Sequence, residues 1–268
     1  MLTRTAACTL LALATASVAQ FSPSSTRIYG TSDRDIPTPL HSTKTSSDPG
    51  ALQQFVEFVQ ASGVSGWKGM TAGGTITLGG QTQSFPAHLY LRDTTASRLD
   101  IEKSDGTASM IFSGDAGVSK TASQKRLSVS SDLARLGFVA FPRLLSADYP
   151  ASTSILTDGG MVTVGGASLH RITLDDPATE TTGNIWKTVD LYFDPATNHL
   201  VQSASFVHLS PSDAAFYMVN TSYDDYRTEG QTTLPHRITQ SLNGNIAWTL
   251  QLGQLDLTSI PPLSTFSF

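Results

Sequence analysis

The chain has 268 residues, 39% hydrophobic and 15% charged, with 17 Lys and Arg against 22 Asp and Glu for a formal charge of −5. That length is enough for one large domain. A thin negative charge, with no basic cluster longer than Lys125-Arg126, excludes nucleic acid as a partner, because phosphate binding needs clustered Lys and Arg. A single cysteine, Cys8, excludes an internal disulfide and any cysteine-based metal centre.

The first element is a targeting segment. Met1-Leu-Thr-Arg4 is a basic start, Ala6 to Val18 is apolar, and Ser17-Val18-Ala19 is a small-x-small cleavage site. These features predict a secretory signal peptide over residues 1–19, cut after Ala19 and taking Cys8 with it. No later stretch reaches about 18 continuous apolar residues, so no transmembrane helix is expected and the chain is read as periplasmic or secreted. Residues 20–47 are rich in Ser, Thr and Pro and lack periodicity, which predicts a flexible leader. Residues 48–268 form the folded domain.

Asp48-Pro49 provides an N-cap and a proline at the first helical position. Leu52, Phe55, Val56 and Val59 follow at helical spacing, and Gly63 stops the helix. Short alternating segments then predict strands near 66–72, 74–78, 83–91, 97–103, 107–113 and 116–122. Residues 130–150 carry Leu133, Leu136, Val139, Phe141, Leu144 and Leu145 around Gly137 and Pro142. Such a broken amphipathic helix suits either a lid or a plug at the end of a barrel. Strands resume at 152–156, 161–164, 167–174, 185–193, 200–209 and 215–223. Consecutive short strands are expected to be neighbours.

The last hairpin is the clearest. Pro235–Leu242 and Asn245–Leu252 flank Asn243-Gly244. A strict two-residue loop sets Ile238 against Thr249 and mixes apolar with polar groups on both faces. A three-residue loop, Leu242-Asn243-Gly244, sets Ile238 against Trp248, Gln240 against Ile246 and His236 against Leu250, leaving one dry face. A single dry face favours that second loop.

The order of parts, signal, helix, meander, broken helical insertion and second meander, resembles the LolA/LolB-type outer-membrane lipoprotein-sorting family. The likeness rests on Leu89-Tyr-Leu-Arg92, Arg98-Leu-Asp-Ile101, Ser104-Asp-Gly106, Val189-Asp-Leu-Tyr-Phe-Asp-Pro195, Tyr223-Asp-Asp-Tyr-Arg227 with Gly230, Leu234-Pro235 and Phe266-Ser-Phe268. It implies a mainly β fold: a curved antiparallel sheet forming an incomplete β-barrel, with an N-terminal amphipathic helix and a helical lid. It also implies a hydrophobic cavity on the concave face for acyl chains, and an arginine that latches the lid, for which Arg92 is the candidate. Here Asp93-Thr94-Thr95 follows, where family members usually carry a proline directly after that arginine. The absence of a lipidation cysteine argues against the membrane-anchored receptor branch.

On this reading the ligand wall is Val189, Leu191, Phe193, Ile238, Trp248 and Leu250, closed by Leu136, Phe141 and Leu144 of the lid. Burying about ten methylenes at about 0.8 kcal/mol each yields roughly 8 kcal/mol, a micromolar affinity before ordering costs. The expected function is non-enzymatic carriage of lipid or lipoprotein acyl chains, without a cofactor. The alternative is an envelope interaction or sensor module, meeting another protein, whose apolar side chains fill the interior and leave no cavity.

The sequence has no Gly-x-Ser-x-Gly elbow, phosphate loop or His-Glu-x-x-His. An enzymatic reading requires two of His88, His170 and His236 to converge with carboxylates. His236 is expected to be buried and bonded to a backbone carbonyl. Asp224, Asp225 and Glu229 read as a solvated turn rather than a calcium site, and Asn220-Thr-Ser222 fits a glycosylation sequon.

Overall fold

A computed structural model describes residues 45–63, 68–93, 96–113, 116–121, 126–129, 154–175, 188–207 and 217–268. Among the described residues one helix, α1 (Pro49–Ser62), precedes thirteen strands. The first six are β1 (Gly69–Leu78), β2 (Ser84–Arg92), β3 (Ala96–Lys103), β4 (Gly106–Ser113), β5 (Ala116–Lys120) and β6 (Arg126–Val129). After the insertion come β7 (Ile155–Val164), β8 (Ala167–Asp175), β9 (Thr188–Phe193), β10 (Leu200–Val207), β11 (Tyr217–Glu229), β12 (Thr232–Leu242) and β13 (Asn245–Asp256). A 3-10 turn, Leu263–Phe266, lies near the C-terminus.

All thirteen strands belong to one antiparallel sheet of order β6-β5-β4-β3-β2-β1-β13-β12-β11-β10-β9-β8-β7. Every pairing joins sequence neighbours except β1 with β13, which welds the two meanders together. The sheet is not closed, since β6 and β7 are its two ends. The chain between Val129 and Ile155, which carries the expected lid, therefore connects one free edge to the other. Leu136, Phe141 and Leu144 lie outside the described residues.

The helix begins and ends as its capping residues dictate. Pro49 opens it and Gly63 closes it at φ 62°, a left-handed position that costs glycine little. A side chain at Gly63 would also collide with the Gln231 carbonyl, its Cβ lying 1.7 Å from that oxygen. Asp48 occupies the N-cap but spends its carboxylate elsewhere, accepting from the Asp158 amide of β7 at 2.9 Å. Ser47, at the end of the expected leader, accepts the Leu156 amide at 3.0 Å. The apolar stripe is rotated from the expected one. Ala51, Phe55 and Phe58 are buried, Leu52 and Val59 are partly buried, and Val56 is 48% exposed. Phe58 stands one turn beyond Phe55, and its ring meets Phe193 at 5.4 Å between centroids.

Two pairs of segments expected as separate strands prove to be continuous. Segments 66–72 and 74–78 run together as β1, and 152–156 with 161–164 as β7. In β7 the extra residue is taken up by a bulge between Asp158 and Gly160. The Asp158 carboxylate accepts the Gly160 amide, and the Arg171 guanidinium fills the space a side chain at Gly159 would need.

The final hairpin corrects the expected register. Its loop has two residues, Asn243 and Gly244, both at positive φ, and Leu242 faces Asn245. The extra residue is Ala247 within β13, after which Gln240 faces Trp248 and Ile238 faces Leu250. The bulge restores the alternation that a plain two-residue loop destroys. Ile238, Trp248 and Leu250 therefore share the dry face as expected, but Ile246 is released to solvent at 56% exposure.

One hydrophobic cluster runs along the inner face from Phe112 of β4 to Leu156 of β7 and includes Phe55 and Phe58 of α1. Smaller clusters lie on the outer face. Phe266 packs with Ala96 and Ile111, and the Arg98 guanidinium donates to the Thr265 carbonyl at 3.0 Å. Tyr192 packs with Leu169, Ala204 and Met218.

Candidate ligand-binding face

The candidate site is the inner face of the sheet. Strand alternation selects its residues: Ala87, Leu89 and Leu91 of β2 point inward, while His88, Tyr90 and Arg92 point outward. The six expected wall residues all lie on this face and in one cluster, with Leu191, Phe193, Ile238, Trp248 and Leu250 buried and Val189 partly buried. They are not equivalent. Phe193 is covered by Phe58, so α1 already occupies that end of the wall.

Helix α1 crosses from β7, where Asp48 and Ser47 bind Leu156 and Asp158, to β12, where the Thr232 hydroxyl donates to the Gly63 carbonyl. Gln54 anchors it midway by donating to Asn198 at 3.2 Å and meeting His170 Nδ1 at 2.9 Å. His170 Nε2 in turn meets Asp158 at 2.8 Å. That contact and the Gly160 amide outweigh desolvation and hold the Asp158 carboxyl below its usual pKa.

Several polar groups on this face are paired with one another. Trp248 Nε1 donates to Gln240 at 3.1 Å, Gln240 donates to Thr221 at 3.5 Å, and the Ser203 and Tyr223 hydroxyls are 3.0 Å apart. Burial pushes the Tyr223 hydroxyl well above its usual pKa, so it remains a neutral phenol. Across β1–β4 and β13, Lys103 is the one charged side chain in the inner row.

Arg92, the expected latch, lies on the outer side. Its guanidinium donates to the Pro261 carbonyl at 2.7 Å and so holds the C-terminal tail. His236 is fully buried, with Nδ1 at 3.3 Å from the Leu252 carbonyl and Nε2 at 3.6 Å from Glu229. His88 pairs with Glu102 and His170 with Asp158. Each histidine thus has its own carboxylate, but β2, β12 and β8 are three and four strands apart, roughly 14 and 19 Å. No two of these histidines converge. Asp224 and Asp225 pair with Arg237 and Arg227. Asn220 of the sequon is buried within β11, where no glycosyl group fits. Among the described residues, no three His, Cys, Asp or Glu side chains could hold a metal ion.

A feature that the sequence reading missed lies on the outer face of β8 and β9. Asp190 is fully buried and accepts from the Thr173 hydroxyl at 2.6 Å, with Arg171 at 3.9 Å. Desolvation outweighs these partners and raises its pKa. The alternation of Val189-Asp-Leu-Tyr-Phe193 places Asp190 opposite the apolar row, which the sequence could have signalled, but it does not reveal that the outer face is buried there as well.

Known structures of the same shape supply the comparison. A LolA superfamily protein from Nitrosomonas europaea superposes with a TM-score of 0.52 at 10% identity, covering 81% of this chain and 97% of that one. The fold is LolA-like. A domain from Vibrio parahaemolyticus assigned to outer-membrane lipoprotein sorting matches with a TM-score of 0.52 at 9% identity, over 81% of this chain and 96% of its own. A DUF1329 family protein from Desulfovibrio piger gives 0.53 at 10% identity, over 82% and 98%. By sequence, no family model and no curated protein matches the chain. The overall fold is what these proteins share with it.

Proposed function

We propose that this protein binds acyl chains of a lipid or lipoprotein outside the cytoplasm, reversibly and without a covalent step. The observation that carries the reading is the inner face itself, an apolar row running unbroken across the β1–β13 weld in a sheet that does not close. A globular core of this kind is normally sealed by a second sheet or several helices. Here the described helix spans only the β7–β12 side. The segment joining the two free edges carries Leu136, Phe141 and Leu144 at lid positions, and in this proposal they close over the chain. Residues 1–19 direct export and residues 20–47 act as a leader.

The alternative, an envelope interaction or sensor module with a filled interior, shares this scaffold, because one fold hosts many tasks. A binding titration separates the two. Mature protein, prepared without detergent, is titrated with a fluorescent fatty-acid analogue. Saturable one-to-one uptake supports carriage, and no uptake favours the module.

A further inference from the structure

At one end of the inner face, the β1–β2 and β3–β4 turns enclose an open groove of about 760 Å³. Phe85, Pro86, Gln81, Gln83 and Ser104 are among the residues that line it. Phe85 belongs to the inner row and packs on the main core, so the groove is continuous with the candidate ligand face. Lys103 stands next to it in the register of β2 and β3, its ammonium 5.8 Å from the Phe85 ring centroid.

This lysine is unusual in two respects. It is the one charged side chain in the inner row of β1–β4 and β13, where an unpaired charge is costly. It is in no ion pair with a described residue; the Phe85 ring lies under it, and Asp105 attracts it at longer range. Partial burial lowers its pKa, against an opposing pull from Asp105. Glu102, which also lines the groove, is engaged by His88 on the outer side. A cation at the mouth of an apolar face, with amide and hydroxyl donors beside it, matches an amphiphile whose head carries an oxyanion.

We infer that Lys103 binds the oxyanion head group of the carried amphiphile, a carboxylate or a phosphate, while its chain passes over Phe85 onto the inner face. The assignment rests on the acyl-chain reading above and adds the head-group class. The lysine stem packs along the ring while the ammonium meets the anion. Glu102 and Asp105 also line the groove, so the ammonium attracts the head group against two carboxylates.

The test compares laurate, dodecyl phosphate and dodecanol, which share one chain length, by calorimetric titration at pH 7.5. The full mature protein, Lys103→Met and Lys103→Arg are used, with far-UV circular dichroism to verify folding. Native protein should bind laurate about tenfold more tightly than dodecanol, the size of one charge-assisted hydrogen bond. Lys103→Met should abolish that preference and Lys103→Arg should keep it. Tighter binding of laurate than of dodecyl phosphate identifies a fatty acid, and the reverse identifies a lipid phosphate; either supports the assignment. Equal binding of laurate and dodecanol by native protein, or an unchanged preference in Lys103→Met, overturns the role of Lys103 and leaves carriage standing. If none of the three binds, the carriage reading itself fails and the head-group assignment falls with it.

Discussion

Replacing Trp248 tests both the corrected hairpin register and the packing of the inner face. Its side chain is 8% exposed, belongs to the main cluster and donates its indole N–H to Gln240 across the β12–β13 pair. Trp248→Ala removes a large buried ring and should destabilise the domain by about 3–5 kcal/mol. Trp248→Phe keeps an aromatic body but loses the donor, so its cost should be about 1–2 kcal/mol. The hydrogen bond can be isolated by a double-mutant cycle with Gln240→Leu, where a coupling of about 1 kcal/mol is expected. Urea unfolding followed by far-UV circular dichroism provides the values, with the midpoint shifting at constant slope. A cost below about 1 kcal/mol for Trp248→Ala, or additive single variants, would refute the Ala247 bulge and the pairing of Gln240 with Trp248.

Three further outcomes are expected. Gly63→Ala forces a β-carbon into the Gln231 carbonyl at a positive φ, so it should cost more than about 1 kcal/mol in urea unfolding, against a near-neutral effect if the helix end were free. Asp190 has its folded pKa raised above the unfolded value of about 3.9, so it binds more protons when folded, and stability should decline as pH rises through the interval between the two values. Stability measured from pH 3 to 8 should show that decline in the native chain and not in Asp190→Asn; parallel profiles would count against a buried carboxylate. Leu144→Glu should abolish uptake of a fluorescent fatty-acid analogue while leaving the β-sheet circular dichroism spectrum intact, and unchanged uptake would sink the lid assignment.

Much of the fold was legible because local chemistry and tertiary structure agree. Asp48-Pro49 and Gly63 bound α1 correctly, since capping depends on a few residues. Alternation around Leu89 and Leu91 identified the inner face because a sheet with one buried side allows only one phase. The errors occur where two local solutions are nearly equal. Gly73-Gly74 and Gly159-Gly160 suit a turn or a bulge, and pairing with β13 and β8 decides between them. In the last hairpin the sequence shows that an extra residue is needed but not where it goes. Both placements keep Ile238, Trp248 and Leu250 on one face; they differ in which residue faces Trp248 and in the exposure of Ile246. Helix rotation was misjudged for a related reason: Val56 and Phe58 both extend an apolar stripe, and the ring of Phe193 selects Phe58. Arg92 was assigned by position in a motif, whereas its partner, Pro261, lies 169 residues away. Buried polar groups such as Asp190 depend on what covers the outer face, which no local pattern encodes.

The most direct test of the account is native mass spectrometry of the mature protein, purified from its own compartment without detergent, followed by organic extraction of whatever accompanies it. The acyl-chain reading predicts near-stoichiometric acylated material on the protein. A clean unliganded mass that does not change on incubation with phospholipid and triacylated peptide would contradict it.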